Sequence, residues 1–341
     1  MPALTSLELE QTDQPAAAFP SNEASTPPVF QNLSNLRTLH FVRTPIYPAV
    51  FSIASLVELK LVDYTSPFHF EEFIGFLHSN QSLEVITLDL QFSKGSRRVS
   101  LKRKASLPQL QRLMFTCGSA TDAQALLSWV PLRRGSHITI QGSQSNRCAT
   151  LASFLPSPPT PIGEMLTPIT AIKYWRSSDW FHVFGDGQFS FQPSNPTPTY
   201  YDGFDLFVTR TVREFHIAYD LDPSDIGPSL SWPLERLPAL EALAFSETCL
   251  PPGSLSALAK EDPLCPSLKT IAFFDCKVTE DVVKELEEVL TKRRDSTAAR
   301  LYRVVIVNAT RPLPDLQLIH RLRGFVPRVD VGVGNELPAL L

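Results

Sequence analysis

The stretch SLKTIAFFDCKVTEDVVKELEEVLTKRR, residues 267–294, carries a strand, a turn and a helix in one run. Leu268, Ile271 and Phe273 stand three and then two residues apart. Residues two apart in an extended chain point to the same face, so Ile271 and Phe273 share one side of a strand. Leu268 then falls on the turn that leads into it. Thr279 is placed to cap a helix, with Glu280 and Asp281 in the first turn, where negative charge suits the helix dipole. Val282, Val283, Leu286, Val289 and Leu290 recur at helical spacing on one face. Lys292, Arg293 and Arg294 close the helix at the end that favours cations.

The same apolar spacing recurs outward from this copy. It appears at Leu4, Leu7, Leu9, at Leu36, Leu39, Phe41, at Leu56, Leu59, Leu61, at Leu83, Ile86, Leu88 and at Leu110, Leu113, Phe115. It returns at Val212, Phe215, Ile217 and at Leu240, Leu243, Phe245. The copies beginning at Leu56, Leu83 and Leu110 are 27 residues apart, and those beginning at Val212, Leu240 and Leu268 are 28 apart. That period lies within the range of leucine-rich repeats. One such unit cannot bury its apolar face alone, so neighbours must stack. Cys276 occupies the position where this repeat class places Asn or Cys, buried and bonded to loop backbone. The expected fold class is α/β, a leucine-rich-repeat solenoid with a curved parallel sheet and helices and loops on its outer face.

Return helices are expected at Phe70, Phe73, Ile74 and Leu77, with Asn80 as the stop. Others are expected at Leu126, Leu127 and Val130 after Asp122, and at Leu316, Ile319 and Leu322. Val304–Val307 and Val329–Val333 read as strands. The pattern fails across 142–205, where prolines 156, 158, 159, 161, 168, 193, 196 and 198 punctuate the chain. Ile138–Ile140, Ile169–Ile172 and Phe189–Phe191 are strand candidates at irregular spacing. The stretch reads as degenerate repeats with long loops in preference to an inserted lobe, within a single domain over residues 1–341. The 102 residues from Leu110 to Val212 hold three or four repeats.

Composition narrows the function. The net charge is −4 and the pI about 6.0, far from the strongly basic balance of a protein that grips phosphates. Five cysteines, an odd number with no CxxC spacing, argue against a disulfide framework or a zinc site. No long apolar run marks a secretory signal or a membrane span. The expectation is a cytoplasmic or nuclear protein, with no membrane partner and no nucleic acid. No phosphate loop, GxSxG or HExxH occurs, so no catalytic, cofactor or metal residue is assigned, and the chain is not read as an enzyme. Asp179, His182 and Asp186 lie close in sequence without a motif. The basic run Lys94, Arg97, Arg98, Lys102, Arg103 and Lys104 lacks the aromatic residues that stack on bases; it reads as a solvated loop. Pro156, Pro158, Pro159 and Pro161 read as a stiff loop, and Cys117, Cys249 and Cys276 as packing residues.

The segments PALTSLELE, NLSNLRTLHF, SLVELKLVDY, PLRRGSHITI, SLKTIAFFDCKVTEDVVKEL, RVVIVN and FVPRVDVGVGNELP resemble the leucine-rich-repeat region of F-box-like proteins of mushroom-forming fungi. The resemblance spans nearly the whole chain and is strongest after about residue 237. It implies the substrate-recognition arm of a cullin-type ubiquitin ligase, in which an F-box binds the adaptor subunit and the repeats hold a protein target. The chain opens inside a repeat, with no F-box segment expected before Leu4; the alternative is a stand-alone scaffold or interaction protein outside the ubiquitin system. The partner-binding face is built from residues between the apolar anchors, above all Thr38, His40, Glu58, Lys60, Thr87, Arg112, Glu214 and His216. Val85 and Met114 join them in the first half, and Ala242, Ala244, Thr270 and Ala272 in the second. The contact surface is expected on the polar half or on the loops at 94–104 and 156–200.

Overall fold

The computed structural model describes residues 4–10, 33–43, 53–68, 70–92, 105–130, 132–142, 151–156, 166–175, 180–185, 187–192, 207, 209–218, 230–246, 250, 253–260, 264–295, 300–308 and 316–333. The basic run at 94–104, Pro158, Pro159, Pro161, Cys148, Cys249, Asp179 and Asp186 lie outside them. The chain divides into two units, Met1–Met165 with Gly187–Asn195, and Leu166–Asp186 with Pro196–Leu341. Each is α/β, with an open, predominantly parallel sheet and few helices.

In the first unit the strands are β1 (Ser6–Glu10), β2 (Thr38–Val42), β3 (Glu58–Phe68), β4 (Val85–Phe92), β5 (Arg112–Cys117), β6 (His137–Gly142) and β9 (Gln188–Gln192). They pair parallel in the order β1-β2-β3-β4-β5-β6-β9. The register aligns equivalent anchors: Leu7, Leu39, Leu59, Ile86, Leu113, Ile138 and Phe189 form one row, each beside the next. All seven are buried. Burying one such side chain fully contributes roughly 1.5–3 kcal/mol. The anchor ahead of each strand sits in a repeated turn: the amide of Leu36 donates to Leu33 O, Leu83 to Asn80 O, and Leu110 to Leu107 O.

Backbone bonds also link equivalent positions just before the strands. Val57 N donates to Arg37 O at 2.7 Å, Glu84 N to Val57 O at 2.8 Å, Gln111 N to Glu84 O at 2.8 Å and His137 N to Gln111 O at 2.7 Å. Each repeat therefore satisfies its predecessor's carbonyl, which a lone repeat would leave unpaired.

Helix α1 (Phe70–Ser79) buries Phe70, Phe73, Ile74, Phe76 and Leu77. Asn80 follows it and is fully buried. Its amide donates to Ile53 O at 2.7 Å and Phe76 O at 3.0 Å, and its Oδ1 accepts from Leu56 N at 3.1 Å. The expected stop is thus a polar rivet between one repeat and the next. Helix α2 (Ala120–Trp129) begins one turn earlier than Asp122 suggests, because Ser119 is the cap and its Oγ accepts from Asp122 N. Helix α3 (Leu151–Phe154) is one turn, and Phe154 meets Phe191 edge-on at 5.0 Å.

In the second unit the strands are β7 (Ala171–Trp175), β8 (Trp180–Phe184), β10 (Glu214–Ala218), β11 (Ala242–Ser246), β12 (Thr270–Phe274), β13 (Arg303–Asn308) and β14 (Arg328–Val333). Their order is β8-β7-β10-β11-β12-β13-β14. All pairs are parallel except β7 with β8, which is antiparallel. Antiparallel β8 is the point at which the irregular stretch departs from plain repetition. Its return needs Gly185: a Cβ there would meet Leu166 O at 1.8 Å. The turn before each strand and the backbone ladder recur here: Glu241 N donates to Arg213 O, Lys269 N to Glu241 O and Tyr302 N to Lys269 O, each at 2.8 Å. Phe245 and Phe273 stack at 5.7 Å between neighbouring repeats.

Helix α4 (Ser231–Glu235) is short, and helix α5 (Glu280–Asp295) starts at Thr279, whose Oγ1 accepts from Val282 N at 3.4 Å. Cys276 is buried and its thiol donates to Phe274 O at 3.4 Å. Arg293 is not a surface cation serving the helix dipole. It is 1% exposed, and its guanidinium donates to Leu258 O, Leu264 O and Cys265 O. The preceding loop leaves these carbonyls facing inward, and only a long side chain carrying several donors reaches them all. Helix α6 (Leu316–Arg323) buries Ile319 and Leu322, but Leu316 is 72% exposed and lies off the expected stripe.

Candidate partner-binding face

Opposite the apolar anchors, the between-anchor residues of the first unit line up in rows. One row runs Ser6, Thr38, Glu58, Val85, Arg112, His137, Gln188, and the next Glu8, His40, Lys60, Thr87, Met114, Thr139, Ser190. Adjacent members are about 4.8 Å apart, the interstrand distance. Thr38, His40, Glu58, Lys60 and Thr87 are half-buried, and Arg112 is exposed. The structure therefore brings six of the eight sequence-derived residues onto one mostly polar face, with Val85 and Met114 among them.

Short side-chain contacts order that face. His40 Nε2 lies 3.0 Å from Glu58 Oε1, His137 Nδ1 lies 2.9 Å from Gln188 Oε1, and Thr116 Oγ1 donates to Gln141 Oε1 at 3.3 Å. Half-exposed pairs of this kind stabilise the fold little, but they hold donors and acceptors at fixed positions. Repeat spacing alone does not single out His137, Gln141 or Gln188. The alternation His-Ile-Thr-Ile-Gln was the available signal, but Gln188 becomes a neighbour of His137 only when β9 pairs with β6.

The other two sequence-derived residues, Glu214 and His216, lie on the second unit, where the same face has a different character. Its middle row reads His182, Lys173, His216, Ala244, Ala272, Val305, Asp330. Ala244, Ala272, Phe274 and Val305 form a buried apolar cluster with Val307 against it. Ala242 and Thr270 are buried too. Together these residues form a second core where the alternation predicts open surface.

His216 stands at the edge of that core, with Nε2 2.9 Å from Ser246 Oγ and its ring 6.0 Å from Phe274. Burial, with the neighbouring Lys173 charge adding to it, lowers the His216 pKa to about 4. His182 is lowered by the same two causes. Trp175 meets His182 at 5.3 Å and His216 at 6.4 Å. At the far end of the face, Asp330 accepts from Arg303 Nε at 2.6 Å and Arg328 Nε at 2.9 Å. Burial would raise the Asp330 carboxyl, but the two arginines outweigh it and hold it below its ordinary value.

The thiols Cys117 and Cys265 are buried, and desolvation pushes each up to about 12. Nucleophilic chemistry runs through the thiolate, so these are packing residues at neutral pH. Among the described residues no group of three His, Cys, Asp or Glu is placed to hold a metal ion, and no helix is long and apolar enough to cross a membrane. No family model matches the sequence, and no curated protein matches it.

Proposed function

We propose that the chain is a leucine-rich-repeat solenoid that binds a protein partner on the open face of its first unit, centred on His40, Glu58, Lys60, Thr87 and Arg112. The observation that carries this reading is the aligned pair of mostly polar rows opposite the apolar anchors. Mixed charges and amides at fixed spacing suit recognition of a complementary protein surface, which takes its specificity from such placement. The ladder of backbone bonds between equivalent positions supports the solenoid reading.

The partner is a target of ubiquitination, and the chain is the substrate-recognition part of a cullin-type ligase, working in the cytoplasm or nucleus. The support for this is the resemblance of residues 267–286, 303–308 and 325–338 to F-box-like proteins. The test is capture of the tagged full chain from fungal cells, with mass spectrometry of what co-purifies. Recovery of the ligase adaptor and cullin, with a further protein lost in a Lys60→Glu, Arg112→Glu variant, is the expected result. A reproducible partner without adaptor or cullin assigns the chain to a scaffold outside the ubiquitin system. No partner sensitive to that variant overturns the face assignment.

A further inference from the structure

The second unit carries a cleft of about 630 Å³ where β8, β7 and β10 lie side by side. Its origin is a single small residue. Across these strands one row reads Phe184, Ala171, Glu214. Ala171 contributes only a methyl group between the strands that carry Phe184 and Glu214, which lie about 10 Å apart at two interstrand spacings. The apolar residues of β7 that face the core, Ile172 and Tyr174, are elsewhere engaged and 1% exposed.

Two opposite charges face this cleft from its two sides. Lys173 leans toward β8 and places Nζ 5.5 Å above the Phe184 ring. Glu214 stands on the β10 side. Among the described residues neither carries an ion pair. The rim groups are already engaged: Thr170 Oγ1 donates to Phe184 O at 3.3 Å, Thr211 Oγ1 to Ile169 O at 2.8 Å, and Arg213 lies 3.7 Å from Glu241 Oε1. The two histidines flanking Lys173 in its row have lowered basicity, so at neutral pH they add no charge.

We propose that this cleft binds a short extended segment of a protein partner bearing an acidic and a basic side chain two residues apart, the carboxylate on Lys173 and the cation on Glu214. A purely acidic ligand would set one of its charges against Glu214, and a purely basic one would meet Lys173; a segment with both pairs with both. Side chains at i and i+2 of an extended peptide point the same way about 6.6–7 Å apart, and Glu214 stands one strand across and two residues out of register from Lys173, roughly 8 Å away by the same spacings. The volume exceeds that of a single residue, and the Phe184 ring, Pro168 and Ala171 offer an apolar floor for the residue between. The proposal rests on the reading of the chain as a protein binder but places this contact on the second unit.

The test is titration calorimetry of the full chain with four capped tripeptides: acetyl-Asp-Ala-Lys-amide, its neutral counterpart Asn-Ala-Gln, the all-acidic Asp-Ala-Asp and the all-basic Lys-Ala-Lys. The mixed-charge peptide is expected to bind more tightly than the other three. Lys173→Met and Glu214→Gln are each expected to weaken it about fivefold, the scale of one half-exposed ion pair. Ala171→Leu, whose side chain points into the cleft and away from the core, is expected to abolish it. Should Ala171→Leu change the circular dichroism, the near-isosteric Glu214→Gln decides. No binding of the mixed-charge peptide, equal binding of the neutral one, or an effect absent from Glu214→Gln overturns the proposal. Capture from cells separates the two readings: a partner retained by Ala171→Leu but lost by Lys60→Glu, Arg112→Glu leaves the first-unit face standing and removes the cleft.

Discussion

Strands β5 and β11 carry the same anchor spacing, Leu110, Leu113, Phe115 and Leu240, Leu243, Phe245, yet they are buried differently. In β5 every second residue is buried, and Arg112, Met114 and Thr116 stand on the open face. In β11 all five residues are buried, and so are all five of β12. The anchors set one face in both. What differs is the residue between them: Arg, Met and Thr in one case, Ala, Ala and Ser in the other. A sheet has two faces, and the anchor pattern speaks for only one of them.

The sharpest way to break this comparison is to attack what the strands share. Leu113→Asp and Leu243→Asp each bury an uncompensated charge at a position no more than 1% exposed. Each is expected to cost more than about 4 kcal/mol and to unfold its unit, read by urea denaturation. A melting midpoint unchanged by either would refute the anchor register. The next test attacks what they do not share. Ala272→Asp, at 0% exposure, is expected to cost roughly 3 kcal/mol, whereas Thr139→Asp, on the half-buried polar row, should cost less than about 1 kcal/mol. Equal costs would mean the second face of β12 is open like that of β6.

Acid sharpens the same contrast. The unfolded His216 imidazole takes a proton near pH 6.5, which the folded site refuses until about pH 4. Its contribution is therefore whole above about pH 6.5, is lost as pH falls toward 4, and levels off below; His182 acts in the same direction. A loss on the order of 2 kcal/mol across that window is expected in the second unit, allowing for solvent near the ring, and His216→Gln should flatten it. The smallest effect belongs to the first unit. His40→Ala with Lys60→Ala breaks the half-exposed His40–Glu58 contact and is expected to change stability by less than about 1 kcal/mol while weakening partner capture. Unfolding of that variant would show that these side chains support the fold.

Much of this was legible in the sequence. The alternation around Leu39, Leu59, Ile86 and Leu113 placed Thr38, His40, Glu58, Lys60, Thr87 and Arg112 opposite the core, and Thr279 marked the start of a helix. Less was legible where long-range neighbours decide. Arg293 reads as a helix-end cation until the carbonyls of Leu258, Leu264 and Cys265 close around it. Lys173 and Ala171 sit in a stretch whose spacing breaks the repeat, so their strand could be read only in part.

The sequence by itself determined the period, most of the residues that turn inward on the strands of the regular repeats and much of the turn and cap chemistry around them. These are properties of side-chain direction along a single chain, repeating every two residues in a strand and every three to four in a helix. The tertiary structure decided which strands become neighbours where the period fails, that β8 runs against β7, that the second face of β11 and β12 is buried, and that Ala171 stands between Phe184 and Glu214. Each depends on contacts between residues far apart in sequence, which local periodicity does not encode.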